Sequence, residues 1–465
     1  MRGWGRGLAV LIVLGRVAAF AQPGPDLGDR ARGFLIDLVR IDTTNPPGNE
    51  TRAAEYLKQV VGARDIPAEL LGPDPTRLNF VARLRGSGAG RPLLLMAHSD
   101  VVPADRSQWT VDPFAAEVHE SEIYGRCTLV DKGLLAAELA VFLELKERGI
   151  KLKRDVILLS ESDEEAGSTG IQWLIANAWD KIDAEFALNE GGVVQDVASG
   201  ARLFQIQTSE KIPTRVVLTA RGTAGHASLP RSDNPVIHLA RAVARLERHQ
   251  PVRLNSTTRR YLAEISKLPD YTWLSPLIPR LENAAYEEQA SENIRARDPE
   301  LDAQLHTSIS PTMLQAGMKI NVIPNVAEAQ VDVRRLPNET SEEVIDRIRR
   351  IINDPAVEVT PSPGQTMPAT EPSAAEGALW DAMDKAFRAS NARAVVVPFM
   401  LRAATDGAFL REKGMAVYGV PLFLREGPNS RAHGNDERMS DSNLRAGTEL
   451  LWKVVLAAAA EGTTE

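Results

Sequence analysis

The sequence predicts a mainly parallel α/β domain flanked by helices and interrupted by a smaller inserted α+β sandwich, and three observations carry that prediction. From Gly33 onward, short apolar runs alternate with segments of helical spacing, the order that builds a parallel sheet with crossover helices. Three of those runs lead directly into histidine or acidic clusters, as at the strand ends of open sheets. At 465 residues the chain exceeds the size at which one core stops growing, and its pattern changes near Pro213 and again near Pro361 and Pro363. A larger domain over 26–211 and 364–465, split by an insert over 212–363, accounts for all three.

The elements follow in order. Phe34, Leu35, Leu38 and Val39 have helical spacing, and Ala54, Leu57, Val60 and Val61 mark a second helix. Residues 93–97 form a buried strand that delivers His98 to its C-terminal edge, and the extended period of two sends His98 and Asp100 the same way. A helix over about 134–148 follows, with Leu135, Leu139, Phe142, Leu143 and Lys146 on neighbouring turns and Gly149 as its stop. Strands at 156–159 and 186–188 lead to Asp163-Glu164-Glu165 and to Glu190.

Inside the insert, 214–219 is a strand, Gly222-Thr223-Ala224-Gly225-His226 a loop, and Asn234-Pro235 the start of a helix reaching about His249. A long polar and helical stretch precedes strands at 320–323 and 329–333. Thr340 and Glu343 form a capping box for a helix over 344–352. Helices over 374–388 and about 443–459 flank a loop that carries His433.

A net charge of -8 gives no basic footprint for nucleic acid. Hydrophobic content of 43% with 25% charged residues is that of a soluble globular chain. Arg2 and Arg6, the apolar run 8–14, and Ala19-Phe20-Ala21 before Gln22 have the layout of a signal peptide over 1–21, which predicts export to the periplasm or beyond. That run is well short of the roughly 20 residues of a spanning helix, and no later segment is apolar enough to make a stable membrane span. Cys127 is the only cysteine, so no internal disulfide forms; it is either a thiolate ligand for zinc or a small buried residue standing where a glycine would.

Histidine and carboxylate side chains at sheet edges suit zinc, for which imidazole and carboxylate are the usual non-thiol ligands. Adjacent Glu164 and Glu165 can divide labour, one binding metal and the other acting as general base. Alone, an acidic pair is usually a solvated surface and a single histidine usually a packed one. The joint order carries the argument, because each candidate follows an apolar strand or sits in a glycine-bearing loop of a rigid scaffold.

Taken together, the motifs resemble the metallopeptidase family of aminoacylase, succinyl-diaminopimelate desuccinylase, glutamate carboxypeptidase and carnosinase. The matching residues are His98-Ser99-Asp100-Val101-Val102-Pro103, Trp109 with Pro113-Phe114, Tyr124-Gly125-Arg126, Asp163-Glu164-Glu165-Ala166-Gly167-Ser168, Gly225-His226-Ala227-Ser228, Asn321-Val322-Ile323-Pro324 and His433-Gly434-Asn435-Asp436-Glu437. The resemblance implies two zinc ions, one held by His98 and Glu190 and the other by Glu165 and His433. It makes Glu164 the general base and Asp100 the carboxylate that orients the site. His226, often supplied by a partner subunit, polarises the scissile carbonyl, while Asn321 and Arg334 bind the substrate's carboxylate. The insert is then a lid and dimerisation domain of a homodimer, and the substrate is a dipeptide or an N-acyl amino acid cleaved beside a free carboxylate.

One position departs from that pattern. Members of the family carry Gly-Arg-Gly-x-x-Asp-Asp/Met-Lys-Gly, whose first aspartate bridges the two metals; here Cys127 stands at the glycine and Val130 at the bridge. Asp131 matches the residue after it. Three readings follow: Asp131 takes over the bridge, which needs a rearranged backbone because neighbours in an extended segment face opposite ways; the site keeps one metal and a weakened hydrolase activity; or the chain binds peptides or N-acyl amino acids without cleaving them.

Overall fold

The computed structural model describes residues 26–247, 250–362, 367–427 and 431–462, so the expected signal segment 1–21 lies outside the described residues. The large sheet runs in the order Ala68–Leu71, Asn79–Leu84, Val156–Glu161, Leu93–His98, Phe186–Asn189, Ala416–Gly419, Arg202–Glu210, Ala394–Leu401, with Val193–Asp196 pairing off Arg202–Glu210. Its centre is parallel: Leu93–His98 pairs in parallel with both Val156–Glu161 and Phe186–Asn189, and Ala416–Gly419 with Phe186–Asn189. Helices Leu27–Val39, Lys132–Glu147, Ala378–Ser390 and Asp441–Ala459 cover one face through Leu35, Leu38, Leu139, Phe142 and Leu451. The helix Lys132–Glu147 is buried from its first residue to Leu145, and it ends where expected, with Gly149 at φ +62° and Ile150 N–H returned to the Leu145 carbonyl at 3.0 Å.

A second, antiparallel sheet orders Ser308–Ala316, Val326–Arg335, Ile212–Arg221 and Val357–Pro361, and helices Pro235–Arg245 and Ser341–Ile352 close its own core around Val216, Leu218, Val331, Leu239 and Ile348. The Thr340–Glu343 capping box forms as read. The strand expected at 320–323 shortens to Val322–Ile323, paired with Gly225–His226. Ser308–Ala316 was missed within the polar stretch. It is an edge strand whose register shifts beside Pro311 and whose residues from Ser310 are exposed, so no alternation marks it. Packing also divides the insert: the helices from Ser256–Ile265 to Pro299–Asp302 sit on strands Arg202–Glu210 and Ala394–Leu401 of the large sheet, through Leu262, Ile294, Leu203 and Phe399.

Lys211 links the two sheets and is fully buried, its Nζ donating to Ser308 Oγ at 3.0 Å. Burial first, then the charges of Arg402 and Arg334, hold its pKa down to about 7. The unfolded lysine keeps its proton up to about 10.4. Between those values the unfolded chain binds the extra proton, so this residue makes stability rise with pH from about 7 to about 10 and costs most at and below 7. Lys211→Met is expected to stabilise the fold by about 1–4 kcal/mol at pH 7. Urea unfolding should show that gain shrinking at pH 9.5; an equal gain at both values would mean the buried lysine keeps its proton in the fold and its pKa is not depressed.

Candidate metal centre

Three parallel strands end at one edge of the large sheet. Leu93–His98 ends on His98 itself, Val156–Glu161 turns through Ser162 and Asp163 into Glu164 and Glu165, and Phe186–Asn189 is followed by Glu190. Asp100, fully buried, ties these ends together by accepting the backbone N–H of Glu164 and of Glu165, each at 3.1 Å, and Asn45 Nδ2 at 2.7 Å. Its own carbonyl oxygen lies 3.0 Å from His98 Nδ1, which places that proton on Nδ1 and turns the Nε2 lone pair into the cluster.

A further cage, missed in the sequence reading, holds the turn before the glutamates. Asp163 has φ +68°. Its Oδ1 accepts from Asn45 Nδ2 at 2.9 Å and Arg77 Nη2 at 2.8 Å, and its Oδ2 from Thr169 Oγ1 at 2.5 Å. Buried Glu50 completes the cage by binding the same Arg77 at 2.6 Å and the Asp163 N–H at 3.2 Å. A buried carboxylate with this many donors is a rigid anchor, and it fixes where Glu164 and Glu165 begin.

The departing loop is held from the other side by Glu437, which accepts from Cys127 N at 3.0 Å, Leu129 N at 2.9 Å and Arg126 Nη1 at 3.1 Å. Cys127 is buried with φ +66°, a conformation that favours glycine, and it neither lines the central cavity nor joins the ligand cluster, as expected of the small buried residue; burial followed by the Glu437 charge pushes its thiol pKa up. Val130 and Asp131 both line the central cavity. The departure from extended backbone that an approach of Asp131 to the site requires is present: Asp131 is the N-cap of helix Lys132–Glu147, at φ −129° and ψ 8°. Its carboxylate accepts the His98 N–H at 3.2 Å.

Ligand atoms of His98, Glu164 and Glu165 lie within 4.8 Å of one another. Glu190 Oε1 is 3.9 Å from His98 Nε2, and His433 Nε2 is 2.8 Å from Glu165 Oε1. The structure therefore brings the residues together in two pairs, His98 with Glu190 and Glu165 with His433. Burial, with the neighbouring acids, raises the carboxyl pKa of Glu164 and Asp131 and brings Glu190 to about 7. His433 is raised by its hydrogen bond to Glu165. Burial opposes the charged form of His98, but Asp100, Glu164 and Glu190 outweigh it and drive its pKa up. Acids and bases displaced in the same direction mark a strongly negative pocket. His98 Nε2 is buried there without a hydrogen bond, among carboxylates, so the donor set fits divalent cations.

Asp131, Glu164, Glu165, Glu190, His433 and Arg334 open onto one cavity of about 1350 Å³. It exceeds the roughly 300–1,000 Å³ of ordinary small-molecule pockets. Apolar side chains including Leu129, Val130, Leu134, Met367 and Phe423 line part of it, and arginines another part. His226 and Asn321 are not among its lining residues; both are exposed, His226 in the strand Gly225–His226 that pairs with Val322–Ile323 and Asn321 just before the latter, and His226 Nδ1 is 2.8 Å from Ser228 Oγ.

The model of peptidase family M20/M25/M40 matches residues 94–457. The chain is 29% identical over 450 residues to an N-fatty-acyl-amino acid synthase/hydrolase of Xenopus tropicalis, covering 89% of this chain and 84% of that one. To a probable carboxypeptidase S-like protein of Dictyostelium discoideum it is 28% identical over 379 residues, 76% of this chain and 69% of the relative. Its fold is similar to that of an M20 family metallo-carboxypeptidase from Sulfolobus solfataricus, with a TM-score of 0.71 at 22% identity over 92% of this chain and 99% of the other. Human carnosine dipeptidase 1 gives a TM-score of 0.64 at 16% identity over 93% and 97%.

Proposed function

The chain belongs to peptidase family M20/M25/M40, and from that premise we propose that it is an exported, zinc-dependent amidohydrolase of N-acyl amino acids with long acyl chains, its turnover held down by Val130. The observation that carries the substrate class is the cavity: about 1350 Å³, lined by apolar side chains and by arginines together with the carboxylates and His433 of the metal-ligand cluster. A dipeptide would leave most of it empty. An acyl chain against Leu134, Met367 and Phe423, with its carboxylate at Arg334, uses both the apolar and the arginine lining. The name of the Xenopus relative supports the same class.

In this reading His98 and Glu190 hold one cation, and Glu165 and His433 the other. Zinc bound there supplies Lewis acidity and lowers the pKa of a water molecule. Asp100 keeps His98 in the tautomer that presents Nε2. Glu164 takes a proton from the attacking water and returns it to the leaving amine nitrogen, so the carboxylate is regenerated each cycle. Val130 places an isopropyl group where a bridging carboxylate would stand, which favours poor metal loading.

His226 and Asn321 lie outside this chain's own cavity, next to the exposed edge strand Ser308–Ala316 and the exposed Leu314, Met318 and Ile320. These features support a homodimer in which a second copy supplies His226 and Asn321 to the site. The layout of residues 1–21 supports export. Among the described residues no helix is long and apolar enough to cross a membrane.

Binding tests this reading independently of turnover. Calorimetric titration with N-acyl-alanines of 4 to 16 acyl carbons is expected to show affinity rising about five- to tenfold per added pair of methylenes until the cavity is filled, somewhat below the full ~0.8 kcal/mol per buried CH₂. Affinity independent of chain length, with free dipeptides bound as tightly, would overturn the acyl assignment.

A further inference from the structure

Two arginines stand in a partition of the active-site region. Arg402 follows strand Ala394–Leu401, and Arg425 is fixed by its N–H to the Val194 carbonyl at 2.9 Å. Both line the central cavity and also a neighbouring one of about 720 Å³. Glu300, from the helical segment docked on the large sheet, lines only the smaller cavity and meets the arginines from that side. Arg425 Nη1 and Nη2 bind its two carboxylate oxygens at 3.1 Å each, and Arg402 Nη2 adds a third contact at 2.9 Å.

Two guanidiniums face Glu300 and Asp298 there, so the partition is a donor fork for carboxylates and not a net positive patch. Glu426 also lies there, but its oxygens are taken by Ser440, whose hydroxyl donates at 2.6 Å and whose N–H donates at 3.2 Å. Arg425 Nε is buried and carries no hydrogen bond, so a donor remains unused. The Arg402 charge also reaches Lys211, whose pKa is depressed first by burial and then by that charge.

We infer that Arg402 and Arg425 form a second carboxylate subsite of the central cavity, with Glu300 as a built-in competitor, so that the chain favours N-acyl amino acids bearing an acidic side chain. This rests on the N-acyl amino acid reading above. Glu300 already shows that the pair accepts a carboxylate in forked geometry, and its half-exposed side chain has the smaller cavity to withdraw into. Arg334, by contrast, is engaged with Asp332 at 2.8 Å on the other sheet and is left for the carboxylate beside the scissile amide.

The test compares N-dodecanoyl-glutamate with N-dodecanoyl-glutamine, which differ by one charge and almost nothing in shape, by calorimetric titration of the full chain. The native protein is expected to bind the glutamate probe about tenfold tighter, the size of a charge-assisted pair. Glu300→Gln should widen that ratio severalfold, and Arg402→Gln with Arg425→Gln should bring it to one. A ratio of one in the native chain, a ratio lowered by Glu300→Gln, or a ratio that survives loss of both arginines would each overturn the subsite while leaving the N-acyl amino acid reading standing. Binding of neither probe would overturn both together.

Discussion

Val130→Asp is expected to raise zinc affinity and amide turnover, each by at least the 10- to 100-fold that loss of a supporting partner typically costs a metal site, and so to raise the zinc retained per chain. The side chain of Val130 is half-buried and borders the cavity shared by Glu164, Glu165, Glu190 and His433, so an aspartate there adds a carboxylate to the wall of that cavity. What it adds is a negative charge between two cations expected about 3.5–4 Å apart in a two-metal site. Zinc per chain, measured after dialysis against a weak chelator, and kcat/KM on an N-acyl amino acid at saturating zinc separate loading from chemistry. Equal zinc and equal turnover in the native chain would show that Val130 does not limit the site. Asp131→Asn would then be the informative change, because Asp131 already reaches the same cavity while bound to the His98 N–H.

Much of this site was legible because its positions are tied to strand ends. A run such as 93–97 can only be a buried strand, and the residue after it must emerge at the sheet edge, so His98, Glu164 and Glu190 fell into place from hydrophobic pattern alone. What stayed hidden depends on contacts between distant segments. Asn45 and Glu50 precede the first strand and Arg77 follows a second polar loop, yet they meet at Asp163 across 118, 113 and 86 residues. No periodicity signals such a cage; the cluster Asn45-Pro46-Pro47-Gly48 reads only as a turn. The direction of Asp131 stayed open for a local reason, since a helix N-cap abandons the period-two rule that governs a strand. The helices after Ser256 show a third limit. Their apolar faces revealed helices but not the sheet they would cover, and that choice is what sets Glu300 against Arg402 and Arg425.

In the Val130→Asp background, Glu164→Gln is expected to lower kcat by about 10²- to 10⁴-fold, the range of a lost general base, without lowering zinc content. Glu165→Gln should lower the zinc content instead. The backbones of the two residues are held alike, each N–H on Asp100 at 3.1 Å. Their side chains part company: Glu165 Oε1 meets His433 Nε2 at 2.8 Å, where a shared cation would sit, while Glu164 has no histidine partner beyond its place in the cluster with His98. Distance alone leaves Glu164 within ligand reach of the same ion. Chemistry separates the roles, because a site in which both glutamates were committed to metal would have no free carboxylate to accept the water's proton and return it to the amine. Zinc loss in Glu164→Gln equal to that in Glu165→Gln would make Glu164 a ligand and leave Asp131, the other buried carboxyl group with a raised pKa on the cavity wall, as the group to test for proton transfer.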